Sequence, residues 1–593
     1  MEQRGQYDTD VIVVGAGPVG LTVAIALRRL GLRIRVVDRA SGANREPRAD
    51  VIFPRAGEAL DALGVGETIR RHSFEMMGAE FFGDGRRMGS FRSGRFASRY
   101  PRAMTIEQHD IERLLGTELA EHDVHVQWHI EISGLRDRGS HVELTLTQPD
   151  GRTEVATTAW VVACDGKHST VRGLLGVEFE GRRRDDLQIL QGNVVPSWPL
   201  PYQPGHGYFF LAPYRTVLAF PIPDGGYRVF IVRDDPDPDH MDPPTLEELR
   251  ELVAGAAGLP DLQLSLTEPV WLNRVRVADR VATRLRQGRV LLAGDAAHAW
   301  APIGGHGMNV GMLGAHNLAW KLAAVHRGQA ADALLDSYDA EQRAFAFGVM
   351  RDMRLNITEV LLPRTLHRLR CAFLRATMSA ESVQRRTEWM MSDFGRNHRR
   401  SDLSWHRAGR RGRGPRAGDR IPDIPVVTPG DDQAVNLHHL LGYDRWTLLL
   451  AGPPTAPATL QKLRDTIADT TVRVEIVPIA PADASAARQL GQGSEILLVR
   501  PDGYIGLVAP LEPIYVRDYL ATFGFPCTDL ARPSPQLTTP RAVPALLRRK
   551  RLLKRPATAR SLSRHVVGRP MVVGAGSIDQ EVDRRGRGST PTR

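Results

Sequence analysis

Hydrophobic positions open the chain as a continuous run, Val11-Ile-Val-Val14, recur at helical spacing from Pro18 to Leu30, and form a second short run from Arg33 to Asp38. An uninterrupted apolar run suits a strand buried on both faces of a parallel sheet. Spacings of three and four residues suit a helix with one packed stripe. Residues 10 to 38 therefore predict strand, turn, helix and strand, the unit that commonly opens a doubly wound α/β domain.

The pattern then changes. Tyr208-Phe-Phe-Leu211, Val217-Leu-Ala-Phe220 and Tyr227-Arg-Val-Phe-Ile-Val232 are short β-rich runs broken by Pro, Asp and Gly, which predicts an antiparallel sheet inserted as a second domain. The parallel-strand pattern returns at Arg289-Val-Leu-Leu-Ala-Gly294, and a long helical stretch is expected from about Val310 to Arg370. Residues 371 to 415 read as a helical, Arg-rich linker ending in Arg410-Arg-Gly-Arg-Gly-Pro-Arg416. Strand and helix signals then alternate through Trp446–Ala451, Leu460–Ile467, Val472–Ile479 and Ile496–Val499, so 416 to 530 is expected to be a small α/β domain.

Composition narrows the class. With 593 residues, 42% hydrophobic and 25% charged, the chain has the make-up of a folded globular protein of several domains. Its three cysteines, Cys164, Cys371 and Cys527, are far apart, which argues against a disulfide scaffold and for a reducing cytoplasm. Neither a signal peptide nor a membrane span is expected. The net charge of +10 has a local origin: residues 541 to 593 hold 14 Lys or Arg against 3 Asp or Glu, a net of +11. A tail of that kind is expected to be a solvated, disordered extension, with anionic lipid or a partner protein as the alternative, so the charge does not call for nucleic acid.

Three segments carry candidate chemistry. Gly15-Ala-Gly17-Pro-Val-Gly20 joins the first strand to its helix, and Asp38 ends the next strand. Glycine there allows a tight turn, close approach of a pyrophosphate and close helix–sheet packing, while the helix N-terminus faces the phosphates and Asp38 can accept from a ribose. That motif alone does not separate FAD from NAD. The second segment is Cys164-Asp165-Gly166-Lys-His-Ser169-Thr-Val-Arg172, after the apolar strand Trp160–Ala163. The third is Gly294-Asp295-Ala-Ala-His298, followed by Pro302-Ile-Gly304-Gly305-His306-Gly307-Met308-Asn309.

At these residues the chain resembles the class A, single-component flavoprotein aromatic hydroxylases: those of phenol, of 3-hydroxyphenylpropionate and of aromatic polyketides. The resemblance is strong over residues 8 to 350 and weaker over 416 to 530. It implies an α/β fold: a Rossmann-like FAD-binding domain in two parts (8–180, with an excursion at about 70–105, and 286–370), an inserted antiparallel-sheet substrate domain (181–285), and a C-terminal thioredoxin-like domain without redox cysteines. It implies FAD as cofactor, NADH or NADPH as co-substrate, O2 and a small aromatic substrate as partners, hydroxylation through a flavin C4a-hydroperoxide, and possible homodimer formation. Carried over by position, Asp295 would hydrogen-bond the ribityl chain, and Gly304 to Asn309 would aim backbone N–H groups at the pyrimidine edge of the flavin. The Pro302 carbonyl would face the substrate, Asp165 and Gly166 would lie near the pyrophosphate, and Arg48 and Gln108 would add FAD contacts.

The family usually has Gln where His306 stands, so His306 is either a tolerated replacement or a titrating group beside flavin or substrate. His306 and Tyr214 are the candidate polar groups favouring a phenolate-like ring, and Phe209, Phe210 and Phe220 are candidate pocket walls, about half of which can face one side of a sheet. No metal site is expected from the spacing of His and Cys. Two other readings remain open on the same motifs: a Baeyer–Villiger or antibiotic-inactivating oxygenase, and an FAD-binding protein acting mainly through partner association.

Overall fold

The computed structural model describes residues 7–525, apart from 223–224, 235–236, 238, 354–360, 409–413, 431–432, 452–454, 469 and 492–494. The basic tail, Cys527 and most of the Arg410–Arg416 run lie outside the described residues.

The first of three large sheets has Thr9–Val14 near its centre, parallel to Ile34–Val37 on one side and Thr153–Ala163 on the other, with Val290–Leu292 parallel beyond that. Val11, Ile12, Val13, Val36 and Val37 are all fully buried, as the uninterrupted runs require. Helix α1 (Pro18–Arg29) packs on helix α2 (His306–His326), and the approach is close enough that a Cβ on Gly311 would lie 2.5 Å from the Val19 side chain.

The second sheet has nine strands. The 18-residue strand Phe179–Pro196 pairs antiparallel with both Tyr227–Asp234 and Leu272–Ala282, and the hairpin His206–Ala212/Arg215–Pro221 continues it. The sheet is mixed rather than antiparallel throughout, because His206–Ala212 pairs parallel with Gly78–Gly83, a strand that comes from the first third of the chain; Arg86–Arg92 then forms the edge. Alternation divides the aromatic runs between two faces. Tyr208, Phe210 and Tyr227 pack beneath the helix Leu246–Ala257, whereas Phe209, Leu218 and Phe220 pack on the opposite face, which also carries Phe230 toward Ala301 and Val310.

The helical stretch expected over 310–370 holds three α-helices among the described residues. Gly328, at a φ of 68°, closes off α2 just past its end; α3 spans Asp336–Met353; α4 (Arg364–Thr377) begins after Pro363. Helix α5 (Glu381–Met391) follows. The third sheet centres on Trp446–Ala451, parallel to Val474–Pro481 and antiparallel to Glu495–Val499. Trp446 meets Trp320 of α2 edge-on at 5.4 Å, so this sheet shares a core with the first.

Candidate active site

The turn at residues 15–20 uses its glycines for different reasons. A Cβ on Gly15 would sit 2.4 Å from the Cys164 carbonyl oxygen, and one on Gly20 would sit 1.9 Å from the Gly15 carbonyl oxygen. Protein fills both spaces. A Cβ on Gly17 would meet nothing within 4 Å, and α1 starts there without a side-chain cap. The open space lies in front of a helix N-terminus, where backbone N–H groups and the helix dipole favour an anion. Beside it runs a cleft of about 170 Å³ bordered by Gly15, Asp38, Arg39, Ile132, Asp165 and Gly166. Asp38 accepts the Ala16 N–H at 2.7 Å and the Ala40 N–H at 2.8 Å, which sets the loop and leaves each oxygen a further lone pair.

Asp165 builds the neighbouring turn: it accepts from Ser169 Oγ at 2.6 Å and from the Val171 N–H at 3.1 Å, with Gly166 at a φ of 81°. Asp295 differs. It is exposed, yet crowding by protein pushes its carboxyl above the usual range against the pull of Lys167 and Arg48. Among the described residues its carboxylate has no hydrogen-bond partner. After it, Gly304 and Gly305 take consecutive φ values of 78° and 72°, a conformation that favours glycine, and α2 begins without a side-chain cap.

Three residues expected to contact ligands also hold loops of the protein in place. The Pro302 carbonyl, expected to face the substrate, accepts the Gly305 N–H at 3.1 Å. Asn309 is fully buried; its Oδ1 accepts the Phe53 N–H at 2.7 Å and its Nδ2 donates to the Val51 and Gly305 carbonyls at 2.9 and 2.8 Å. Gln108 accepts the Ala49 N–H at 3.4 Å and donates to Glu112 at 2.8 Å, holding the loop that carries Arg48, whose φ is 38°. Gly307 has open space where a Cβ would be, and Met308 packs half-buried against the core.

His306 is buried at the start of α2. Its ring lies 4.6 Å from that of Phe53, and Nδ1 is 3.2 Å from Oδ2 of Asp393, leaving Nε2 without a partner among the described residues. Asp393 sits just after α5 at a φ of 58°. Its burial would raise the carboxyl, but His306 and Arg396 hold it below the usual range. Tyr214 does not join this group: it occupies the hairpin turn before Arg215 with 47% of its surface exposed. Of the proposed walls, Phe210 lies on the face turned to Leu246–Ala257, so Phe209 and Phe220 remain, with Phe230 added. Asp84, His367 and Cys371 form a close group, but Arg370 donates to His367 Nδ1 at 2.8 Å, so Nε2 carries the proton and donates to Asp84.

Two groups escaped the sequence reading. Arg228 is buried and joins the second sheet to the loops carrying Arg48 and Glu107, donating to the Arg48 carbonyl at 2.7 Å, to Glu107 at 2.9 Å and to Asn193 at 2.5 Å. A charged residue inside the apolar run 227–232 was the signal, since a buried charge needs partners. The other is the junction between α2 and the third sheet. Glu341 there takes Arg500 at 2.8 and 3.0 Å, Lys321 at 2.8 Å and Asn317 at 2.8 Å, while Asp502 takes Arg500 at 2.5 Å and Trp320 Nε1 at 3.1 Å. Arg420 likewise grips Glu58, and Arg55 donates to the Asp502 carbonyl at 2.6 Å.

Residues 8–353 match the family of FAD binding domains, and residues 414–522 match the C-terminal domain of aromatic-ring hydroxylases. Anhydrotetracycline monooxygenase of Streptomyces rimosus is 32% identical over 506 residues, 84% of this chain and 94% of that protein. Pentachlorophenol 4-monooxygenase of Sphingobium chlorophenolicum is 29% identical over 536 residues, 85% of this chain and 94% of that one. The solved structure of an anhydrotetracycline hydroxylase from Streptomyces rimosus aligns with a TM-score of 0.69 at 31% identity, covering 88% of this chain and 99% of its own.

Proposed function

Because the chain belongs to the FAD-dependent aromatic-ring hydroxylase family, we propose that it hydroxylates a phenolic or polyketide-type aromatic ring in a pocket between the second sheet and the start of α2. FAD, when bound, supplies the oxygen chemistry, with NADH or NADPH as reductant and O2 as oxidant. In this reading Gly17 and the α1 N-terminus receive the pyrophosphate, Asp38 a ribose hydroxyl and Asp295 the ribityl chain. The uncapped start of α2 at Gly305 to Met308 presents N–H groups to the pyrimidine edge, and Arg48 and Gln108 close the cofactor from outside. The second sheet is the substrate domain, with Phe209, Phe220 and Phe230 on its inner face, and the third sheet forms a thioredoxin-like domain that braces α2.

The chain's own proton chemistry falls to His306. Asp393 orients the imidazole through Nδ1, so Nε2 is the atom that accepts the proton of the substrate hydroxyl and leaves the ring electron-rich. Apolar walls exclude water from that position. Tyr214, exposed at a hairpin turn, has no part in this reading.

The observation that carries the proposal is the carboxylate of Asp295, without a partner among the described residues, next to Gly294, which packs on Val19 in the first turn of α1 where the space at Gly17 is clear. The test is NADH and NADPH oxidation by the FAD-loaded protein across a panel of phenols and polycyclic aromatics, with mass analysis of products. The expected result is stimulated oxidation and a product carrying a new ring hydroxyl. A ring-expanded ester in its place means Baeyer–Villiger chemistry; oxidation that no aromatic stimulates leaves the partner-binding alternative.

A further inference from the structure

Helices α4 and α5 form a strap along the edge strand Arg86–Arg92 of the second sheet. At one end His367 meets Asp84 at 3.1 Å; Cys371 and Met378 pack on Met88 and Phe91; Gln384 Nε2 donates to the Ser90 carbonyl at 2.7 Å; and Glu388 accepts the Gly94 and Arg95 N–H groups at 2.5 and 2.7 Å. These contacts fix the inward face of both helices. The outward face is therefore presented in one orientation.

That outward face has an unusual composition for a water-facing surface. Leu366, Leu369 and Phe373 are 48%, 67% and 66% exposed. At 3.6 residues per turn they fall within an arc of about 60°, while Arg364, Arg368 and Arg375 fall within about 40° along the other border of the exposed half, with Ala372 and Ala376 between the rows. On α5, Trp389 and Met390 are 43% and 46% exposed beside Arg385 and Arg386. Arg364, Arg368, Arg375 and Arg386 have no ion-pair partner among the described residues, and the sole exposed acid on the two helices, Glu381, lies 3.9 Å from Arg385.

We propose that the α4–α5 strap is a docking face for an anionic lipid surface, with Leu369 and Phe373 entering the acyl boundary and the arginine row meeting headgroup phosphates. A helix that sets Leu and Phe along one border and arginines along the other is suited to lying in a membrane interface, and arginine side chains can extend along apolar surface to reach phosphate. Neither helix is long and apolar enough to span a bilayer. A second copy of the chain is a poor occupant, because five exposed arginines would face five others. The sequence beyond Pro540, with a net of +11, adds charge of the same sign. The strap rests on the sheet whose inner face bears Phe209 and Phe220, so the docking would bring that face near a phase in which apolar aromatic compounds concentrate.

The test is co-sedimentation of the full-length, FAD-loaded protein with vesicles of phosphatidylcholine alone or mixed with phosphatidylglycerol. Binding is expected on the mixed vesicles only, and added salt should weaken it. L369E/F373E and R364Q/R368Q/R375Q should each lower partitioning by roughly tenfold or more, with FAD content and turnover of a water-soluble phenol unchanged. Undiminished binding by L369E/F373E overturns the proposal, as does equal binding to both vesicle types. So does a solution dimer that L369E/F373E splits, which gives the face to a second copy. Retention on immobilised polyglutamate with no vesicle binding gives it to an acidic protein.

Discussion

Two polar regions flank α2 and are built on opposite principles. At its C-terminal half, the junction with the third sheet buries Lys321, Glu341, Arg500 and Asp502 and gives each a charged partner within 3 Å. Toward its N-terminal end, the Asp295 carboxylate, the uncapped helix start and the open face of Gly17 have no side-chain partner among the described residues. Charge density does not distinguish them; satisfaction does. A buried network that closes on itself is structure, because each group has what it would otherwise take from water. An open one of comparable polarity is built for something that arrives later.

The contrast is most sharply tested by removing a junction charge. Burial alone would raise the Glu341 carboxyl, yet Arg500 and Lys321 hold it well below the usual range, and burial brings Lys321 down to about 8. Arg500→Met leaves Glu341 and Asp502 with one cation between them. Breaking a buried pair in this way costs about 3–5 kcal/mol, so urea unfolding should show a large loss of stability. FAD affinity of the protein that remains folded should hold. Unchanged stability would mean that the network is dispensable and that satisfaction does not mark a structural role.

At the open end the response should invert. Asp295→Ala removes no hydrogen bond within the described protein, so the apoprotein should unfold at the wild-type denaturant concentration or slightly above it. FAD binding should weaken by the value of a charge-assisted hydrogen bond, roughly 1.5–3 kcal/mol or about 10- to 150-fold. Reconstitution of apoprotein followed by flavin fluorescence measures this directly. Equal FAD affinity would remove Asp295 from the cofactor site.

The same division decides what was legible in the sequence. The strand–turn–helix at residues 10–38 is written in local spacing, and so is the alternation that sends Phe209 one way and Phe210 the other. The helical stretch expected over 310–370 is helical, and its breaks fall by Gly328 and Pro363, two punctuating residues that outweigh the pattern around them. Contacts between distant segments left only indirect traces. Arg228 in an apolar strand and Lys321 in an apolar helix each announced a missing partner without naming it, because Glu107 and Glu341 reach them through the tertiary fold. Asp393 left no trace at all: nothing in its neighbourhood of sequence marks it as the partner of His306, 87 residues away.

The smallest expected effect concerns that pair, which sits between the two principles: Nδ1 is satisfied by Asp393 and Nε2 is open. If His306 only ties α2 to the segment after α5, His306→Gln should lower stability by about 1 kcal/mol, the worth of an ordinary hydrogen bond, and leave kcat alone. If Nε2 receives the substrate proton, His306→Gln should lower kcat as well, because an amide cannot take that proton. The loss in kcat should be roughly tenfold, below the 10²- to 10⁴-fold usual for a general base, because a phenol ring is already electron-rich with its proton in place and Gln keeps a hydrogen-bonding group there. Asp393→Asn supplies the control. It should lower kcat less than His306→Gln does, since the imidazole stays and loses only its orienting partner, and KM should change less than kcat. Wild-type kcat in His306→Gln returns His306 to the structural side of the comparison.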